Sequence, residues 1–185
     1  EAIGSYASGK IDAEELKEIE DHACPGPGAC GGQFTANTMA TISEIIGICP
    51  MGMADVPAEN EAKTTVARRI GEMIIDLIER DMRPRDYITR KSLENAIAVA
   101  TGTAGSTNAV LHTLAFAREL GIEFDLNDIE SISQRTPVIV DMRPTGKYVA
   151  QDLFEAGGIR MLTKKMLDMG LLHGETMTAT GLTLA

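Results

Sequence analysis

The fold of this chain is organised around residues 23–39, which read ACPGPGACGGQFTANTM. Cys24 and Cys30 lie in a segment of glycine and proline, and a helical pattern begins directly after it at Thr35. Proline fixes φ, whereas glycine accepts positive φ and lets other groups approach the backbone closely. The composition therefore predicts a shaped turn rather than a flexible linker. Cys30 precedes a helix N-terminus, where partial positive charge favours a thiolate.

Apolar periodicity predicts a mostly helical chain. An acidic helix follows Asp12, which suits an N-cap with Glu15 at the capping-box position. The pattern predicts further helices from Thr35 to Gly47, from about Glu59 to Pro84, from Thr89 through Ala100, from the turn 101–108 to Gly121, from Asp125 through Ile132, over 148–156 and over 159–169. The clearest strand is Pro137-Val138-Ile139-Val140, and residues 177–184 are either a strand or irregular.

Two fold classes fit this pattern: an all-α fold, or the helix-rich part of an α/β domain whose main sheet lies outside the segment. We favour α/β because residues 137–140 are apolar on both faces, as buried parallel strands are. The sequence does not begin with Met and stops at Ala185 without a tail. We therefore interpret residues 1–185 as one segment of a longer polypeptide, cut at both ends.

Composition limits the class of protein. Hydrophobic residues make up 44% and charged residues 24%, which is typical of a globular chain. A net charge of −10 argues against a nucleic-acid partner, because no basic stripe is available to neutralise phosphates. No apolar run approaches the length that spans a membrane, so we expect no membrane partner. An odd number of cysteines, 3, without a small disulfide scaffold favours a reduced, intracellular setting.

The cysteine turn has three interpretations on residues alone. Cys24 and Cys30 could be small buried hydrophobes, since cysteine is often buried. The backbone N–H groups of a glycine-rich turn before a helix could instead bind an anion, although this turn matches neither a Walker A nor a dinucleotide pattern. Third, thiolates could ligate a soft metal. The spacing of the two cysteines is too long for a CxxC clamp, so at most one or two ligands come from here.

The other candidate residues favour structural roles. Cys49 follows an apolar run and is predicted to lie in the core. The three histidines are far apart in sequence and form no ligand pair, so we expect each to be structural. Residues 106–108, Ser-Thr-Asn, suit a helix cap and could also present hydroxyl and N–H groups to a carboxylate. We assign no catalytic residue to this segment, because no Ser-His-Asp or paired-carboxylate arrangement can be assembled.

The segment 23–39 closely resembles the signature of the dihydroxy-acid/6-phosphogluconate dehydratase family, which also includes the sugar-acid dehydratases. The resemblance covers nearly the whole chain in order, through residues 90–96 (RKSLENA), 105–112 (GSTNAVLH), 144–148 (PTGKY), 152–153 (DL), 157–158 (GG) and 170–174 (GLLHG). It identifies the chain as an internal segment of the N-terminal domain of such an enzyme. The implied fold is a three-layer α/β domain, of which this stretch is mostly helical with one or two short strands.

The resemblance to dihydroxy-acid dehydratases implies a hydro-lyase of branched-chain amino-acid biosynthesis (valine, isoleucine and leucine). Such an enzyme removes water from a 2,3-dihydroxy acid and leaves a 2-keto acid. An iron–sulfur cluster, [2Fe-2S] or [4Fe-4S], held by three cysteines acts as the Lewis acid on the departing hydroxyl. A Mg²⁺ ion, held by carboxylates and a carbamylated lysine, binds the carboxylate end of the substrate, and a serine of the C-terminal domain takes the proton from C2.

Only Cys30 of those groups maps to this segment. Relatives that lack the first cysteine of the turn keep the second, so the resemblance implies that Cys30 is the cluster ligand and Cys24 a structural neighbour. Gln33 stands where Met is usual, Ala104 replaces a usual Gly, and residues 48–52 differ from the usual Leu-Pro-rich loop. The other two cluster cysteines, the Mg²⁺ ligands and the catalytic serine are expected outside the segment, which should be inactive alone.

The family further implies a homodimer as the full-length protein and a cytoplasmic location, or an organelle matrix in a eukaryote. Two alternatives remain. A sugar-acid (aldonate) dehydratase shares the same chemistry and differs in its preferred substrate. A non-catalytic anion-binding module would bind phosphate without Cys30 and without iron, but no basic residue lies between Ala23 and Met39.

Overall fold

A computed structural model describes residues 1–23 and 30–185. Helices joined by turns make up most of this part of the chain, as predicted. Their bounds are α1 (Ala2–Ala7), α2 (Ala13–His22), α3 (Thr35–Ile45), α4 (Ala62–Glu79), α5 (Pro84–Tyr87), α6 (Arg90–Gly102), α7 (Asn108–Leu120), α8 (Leu126–Arg135), α9 (Ala150–Glu155) and α10 (Gly158–Asp168). The helix-rich architecture is consistent with the mostly α part of an α/β domain.

Side-chain caps explain several of the helix starts that the sequence predicts. The Asp12 carboxylate accepts the backbone N–H groups of Glu14 and Glu15, and the Glu15 carboxylate accepts the N–H of Asp12. This is the predicted capping box of α2. The Thr89 hydroxyl accepts the N–H of Ser92 and starts α6 in the same manner.

Two helices differ from the sequence prediction. The first, α1, was not predicted; it has six residues and none of them is buried. Helix α4 ends at Glu79, earlier than predicted, because Asp81 adopts φ +48 and the Met82 N–H donates to the Leu77 carbonyl at 2.9 Å. Pro84 then begins the short helix α5, where its fixed φ and missing N–H suit the first position.

The predicted strand over 137–140 is wrong. No strand pairs with it in the described part of the chain; instead, the N–H groups of Ile139 and Val140 both donate to the Gly102 carbonyl at the end of α6. Val138 is 63% exposed, so the segment is not buried on both faces. An apolar run of four residues does not specify a strand unless a neighbouring strand completes its hydrogen bonds. Residues 177–184 are irregular apart from a single antiparallel bridge between Met177 and Thr183.

The core is built around α6. Its side chains Leu93, Ala96 and Val99 are completely buried, and it packs against α3, α7 and α8. Small residues on α6 let these neighbours approach closely, while Ile42 and Ile45 fill the space from α3. Because α6 fixes the position of α3 and of the turn that precedes α7, the core brings together two of the segments that carry the family resemblance. In the described residues, no helix is both long enough and apolar enough to cross a membrane.

Candidate functional site

Cys30 lies beside the N-terminus of α3, where the sequence predicts it. The backbone N–H of Asn37, in the first turn of α3, donates to the Cys30 Sγ at 3.4 Å, and the thiol donates to the Gly32 carbonyl at 3.3 Å. Phe34 occupies the N-cap position of α3 and supplies no side-chain hydrogen bond. The half-buried sulfur therefore takes the place of a capping acceptor. Cys24, the predicted structural neighbour, lies outside the described residues.

A second segment holds the cysteine turn on its other side. The Gln33 N–H donates to the Arg143 carbonyl at 2.7 Å, and the Ala150 N–H donates to the Gly31 carbonyl at 3.1 Å. A Cβ atom on Gly32 would lie 2.8 Å from the Arg143 carbonyl oxygen, so only glycine fits without a backbone shift. Close backbone contact with Arg143 thus explains the glycine at position 32.

The turn before α7 docks directly on the start of α3. The Ser106 N–H donates to the Thr38 hydroxyl at 3.0 Å, and the hydroxyls of Ser106 and Thr35 are 3.0 Å apart. The Asn108 side-chain amide donates to the Thr35 hydroxyl at 2.8 Å. The Ser106 hydroxyl also accepts the Asn108 N–H at 3.3 Å, whereas Thr107, at the N-cap position of α7, makes no side-chain cap. The contacts to α3 could not be found from spacing, because about 70 residues separate the two turns in the sequence.

A pocket of about 330 Å³ lies between these turns. It is lined by Gln33, Phe34, Thr35, Ala104, Gly105, Ser106, Thr107, Pro144 and Thr145. Hydroxyl groups therefore line its wall, and both α3 and α7 begin at its edge, where helix N-termini favour negative charge. Ala104 adopts φ +47, a conformation that glycine accepts more readily.

Glu44 is a buried carboxylate that the sequence analysis did not single out. It is 1% exposed and accepts the backbone N–H groups of Gly52, Met53 and Ala54 at 2.6, 2.9 and 2.6 Å. Burial raises its pKa to about 7 in spite of these donors, which act in the opposite direction. Its position on the inner face of α3, among isoleucines, is the signal that could have identified it.

Asp55 and Cys49 lie near Glu44 in the loop that follows α3. The Asp55 Oδ2 accepts the Ile159 N–H at 2.8 Å, at the start of α10, whereas the buried Oδ1 finds no hydrogen-bond partner among the described residues. Burial raises the pKa of the Cys49 thiol to about 12, and the Glu44 and Asp55 carboxylates add to that effect. Cys49 thus stays protonated at neutral pH, but it is half-buried at the edge of the core rather than inside it as predicted.

His173 has the structural role that the sequence analysis expects of the histidines. Its backbone N–H donates to the Asn95 side-chain oxygen at 2.8 Å, and its carbonyl accepts the Asn95 amide at 3.0 Å. The imidazole Nε2 lies 2.7 Å from the Glu94 carboxylate. These contacts join the segments 90–96 and 170–174, which are separate in sequence and both belong to the family resemblance.

The geometry of the site fits a single thiolate ligand. Over residues 1–23 and 30–185, no three His, Cys, Asp or Glu side chains are close enough together to hold a metal ion. Cys30 nevertheless offers a half-buried sulfur with glycines on one side and a helix N-terminus on the other. A soft metal centre on this sulfur would need further ligands, because the neighbouring Gly31 and Gly32 are buried against residues 143–150 and supply only backbone groups.

Comparison with known proteins decides the family. The sequence model described as dihydroxy-acid/6-phosphogluconate dehydratase N-terminal matches residues 1–185. The chain belongs to this family. Within this dehydratase family it is 56% identical over 185 residues to a dihydroxy-acid dehydratase of Roseiflexus sp. (strain RS-1), covering 100% of the chain and 33% of that protein.

Two further relatives are also named dihydroxy-acid dehydratases. Dihydroxy-acid dehydratases of Thermus thermophilus and Koribacter versatilis are 52% and 49% identical over 185 residues, covering 100% of the chain and 33% and 32% of those proteins. The chain thus spans about a third of the length of the curated dehydratases it matches. Family membership confirms the resemblance stated from residues 23–39 and from the segments that follow.

Proposed function

We propose that this chain is the N-terminal-domain segment of a dihydroxy-acid dehydratase, a hydro-lyase that converts 2,3-dihydroxy acids to 2-keto acids in branched-chain amino-acid biosynthesis. The observation that carries the proposal is the 56% identity to a named dihydroxy-acid dehydratase over the whole chain. Since those relatives are about three times longer, we infer that the active enzyme is a longer polypeptide and that residues 1–185 alone are inactive.

Cys30 is our candidate ligand for an iron–sulfur cluster, [2Fe-2S] or [4Fe-4S]. The half-buried sulfur at the N-terminus of α3 supports this assignment. When bound, the cluster would supply a Lewis acid for the departing 3-hydroxyl of the substrate. We propose that its other cysteine ligands, and the carboxylates and carbamylated lysine that hold Mg²⁺, come from the rest of the longer polypeptide.

The protein's own contribution in this segment is to fix the cysteine and to shape the adjoining pocket. Two backbone hydrogen bonds, from Gln33 to the Arg143 carbonyl and from Ala150 to the Gly31 carbonyl, hold the Cys30 turn in place. The sulfur therefore has a defined direction. The pocket lined by Thr35, Ser106 and Thr145 offers hydroxyl groups and helix N-termini, which suit an oxygen-rich acid. The full enzyme would take a small-molecule substrate and form a homodimer.

Anaerobic cluster reconstitution tests the role of Cys30. The full-length polypeptide that carries this chain is reconstituted with iron and sulfide as wild type, as Cys30→Ala and as Cys49→Ala. Cys49 is a matched control because it follows the other end of α3, an 11-residue helix about 16 Å long. We expect Cys30→Ala to lose bound iron and dehydratase activity and Cys49→Ala to keep both. Undiminished iron and activity in Cys30→Ala would remove it from the site.

The substrate class is tested separately. Dihydroxyisovalerate and a panel of sugar acids are assayed as substrates of the reconstituted wild-type enzyme. We expect a much higher kcat/KM for dihydroxyisovalerate, because the relatives in this range of identity carry the dihydroxy-acid dehydratase name. A preference for a sugar acid would keep the reaction class and change the substrate.

A further inference from the structure

We propose that Asn37 is the positioning residue of Cys30: it sets the direction of the cysteine sulfur and holds the surrounding turn in shape. The proposal rests on the proposed role of Cys30 as an iron ligand. It goes beyond that role because it assigns a function to a residue that does not itself ligate iron.

Three hydrogen bonds connect Asn37 to the cysteine turn. The side-chain amide nitrogen donates to the Cys30 carbonyl at 2.6 Å and to the Gly32 carbonyl at 2.7 Å. The backbone N–H of the same residue donates to the Cys30 Sγ at 3.4 Å. Asn37 thus donates to the Cys30 carbonyl, the Gly32 carbonyl and the Cys30 sulfur. The two hydrogens of an amide group match two carbonyl acceptors, a geometry that a hydroxyl or a carboxylate cannot reproduce.

The backbone contact places the sulfur against the positive end of α3. Asn37 is the third residue of this helix, so its N–H has no partner within the helix. An N–H group and a helix N-terminus both stabilise negative charge on a nearby sulfur. Hydrogen bonds to ligating sulfurs also tune the reduction potential of iron–sulfur clusters. The same contact therefore affects both the stability and the potential of a cluster on Cys30.

The side-chain contact becomes more important when Cys30 binds a metal. In the thiol form, the sulfur donates its proton to the Gly32 carbonyl at 3.3 Å. A ligating thiolate has no proton, so this bond disappears and the carbonyl oxygen faces an anionic sulfur. The Asn37 amide still donates to the Gly32 carbonyl. This bond offsets the repulsion between the carbonyl oxygen and the Cys30 sulfur. The bond from Asn37 to the Gly32 carbonyl thus does not depend on the Cys30 proton.

A merely structural role for Asn37 makes a different prediction from a positioning role. Aspartate has nearly the same shape as asparagine and is favoured in the first turn of a helix, but it cannot donate to either carbonyl. Asn37→Asp should therefore leave α3 stable while it repels the Cys30 and Gly32 carbonyls. Asn37→Ala removes both side-chain bonds without adding charge. Asn127→Ala, at an exposed position of α8, is the matched control.

The experiment compares the full-length wild type with Asn37→Asp, Asn37→Ala, Asn127→Ala and Cys30→Ala after anaerobic reconstitution with iron and sulfide. Iron per chain, the rate of cluster loss to a chelator, the reduction potential and the melting temperature of the metal-free protein are measured. We expect both Asn37 variants to lose the cluster about 10-fold faster or more and to shift its potential. We expect both metal-free Asn37 variants to melt below wild type, because the Cys30 and Gly32 carbonyls lose their donor, but to keep a cooperative transition, and Asn127→Ala to behave as wild type throughout.

Two outcomes would overturn the proposal, and they are distinguishable. If wild type binds a cluster, Cys30→Ala does not, and both Asn37 variants keep the wild-type loss rate and potential, the positioning role fails while the proposed function stands. If the cluster is equally stable in wild type and in Cys30→Ala, the proposed ligand itself is wrong and the inference on Asn37 fails with it.

Discussion

The hydroxyl of Thr38 accepts a hydrogen bond from the backbone N–H of Ser106 at 3.0 Å, and this contact joins the two turns that border the candidate site. The same hydroxyl donates to the Gln33 carbonyl at 3.2 Å, directly after the cysteine turn. Thr38 is 1% exposed, so water cannot replace either bond. One buried side chain of α3 therefore sets the distance between the Cys30 turn and the turn that begins α7.

Replacement of Thr38 by valine should destabilise this junction. Valine has nearly the shape of threonine but leaves the Ser106 N–H without its acceptor, at a cost of about 1–3 kcal/mol in the free energy of unfolding. Thermal and urea unfolding of Thr38→Val measure the change. Thr65→Val, at an exposed position of α4, is the control and should have little effect. Equal stability of Thr38→Val and wild type would contradict the bridging role.

Gly32 should not tolerate a side chain. A Cβ atom there would lie 2.8 Å from the Arg143 carbonyl oxygen, closer than real contacts allow, so Gly32→Ala must push residues 143–150 away from the cysteine turn. We expect a lower melting temperature and reduced iron retention after reconstitution. Gly71→Ala is the opposite control: its Cβ would meet nothing within 4 Å, and alanine in an exposed helix should stabilise by about 0.5–1 kcal/mol.

Local patterns predicted most of the helices, because their signals lie within a few residues. The capping box of α2 joins Asp12 and Glu15, which are three residues apart. Gly121 directly follows the last apolar residue of the helical pattern and ends α7 with φ +67. The strand over 137–140 failed for the opposite reason. Whether these residues form a strand depends on a neighbouring strand that local sequence does not reveal. In the structure the Ile139 N–H donates to the end of α6 rather than to another strand.

The candidate site could be predicted only in part. Cys30 could be singled out as a candidate ligand because its neighbours form a distinctive local sequence. Its location beside α3 follows from the same residues. The contacts of Thr38 with Ser106 and of Gln33 with Arg143 connect residues far apart in sequence, so no spacing rule reveals them. The position of Glu44 among isoleucines indicates burial, but no local pattern reveals the three N–H groups that face its carboxylate.

Asn95 should be essential for the stability of the C-terminal part of the chain. It is completely buried and exchanges two hydrogen bonds with the backbone of His173. Asn95→Ala leaves both backbone groups of His173 without these partners, so we expect a loss of about 2–4 kcal/mol in the free energy of unfolding. Urea unfolding of Asn95→Ala against Asn127→Ala measures it. A loss no larger than that of the exposed Asn127 control would show that water replaces the bonds.

Cys49 should be inert to alkylation in the folded protein. With a pKa of about 12, only about one thiol in ten thousand is ionised at pH 8, and the thiolate is the reactive form. Iodoacetamide treatment at pH 8, followed by peptide mass spectrometry, should find Cys49 unmodified until denaturant is added. Glu44→Gln removes one of the carboxylates that raise this pKa and should increase the labelling rate. Rapid labelling of native Cys49 would contradict the raised pKa of this half-buried thiol.

The last prediction concerns pH and Glu44. Burial raises the folded-state pKa of this carboxyl from 4.5 to about 7, so between these values the folded chain binds more protons than the unfolded chain. The stabilisation from this group is complete below about pH 4.5 and is lost as the pH rises through about 7. At most about 3 kcal/mol of the free energy of unfolding depends on it.

Glu44→Gln separates this effect from the titration of every other group. Glutamine cannot ionise, so the difference in free energy of unfolding between wild type and Glu44→Gln should shift in favour of the variant as the pH rises from 5 to 8. The amide also accepts fewer N–H groups than the carboxylate, which lowers the stability of the variant by a nearly constant amount. Urea unfolding at several pH values measures the difference, with the exposed Glu72→Gln as control. A constant difference from pH 5 to 8 would show that the three N–H donors of residues 52–54 outweigh burial and keep Glu44 ionised throughout.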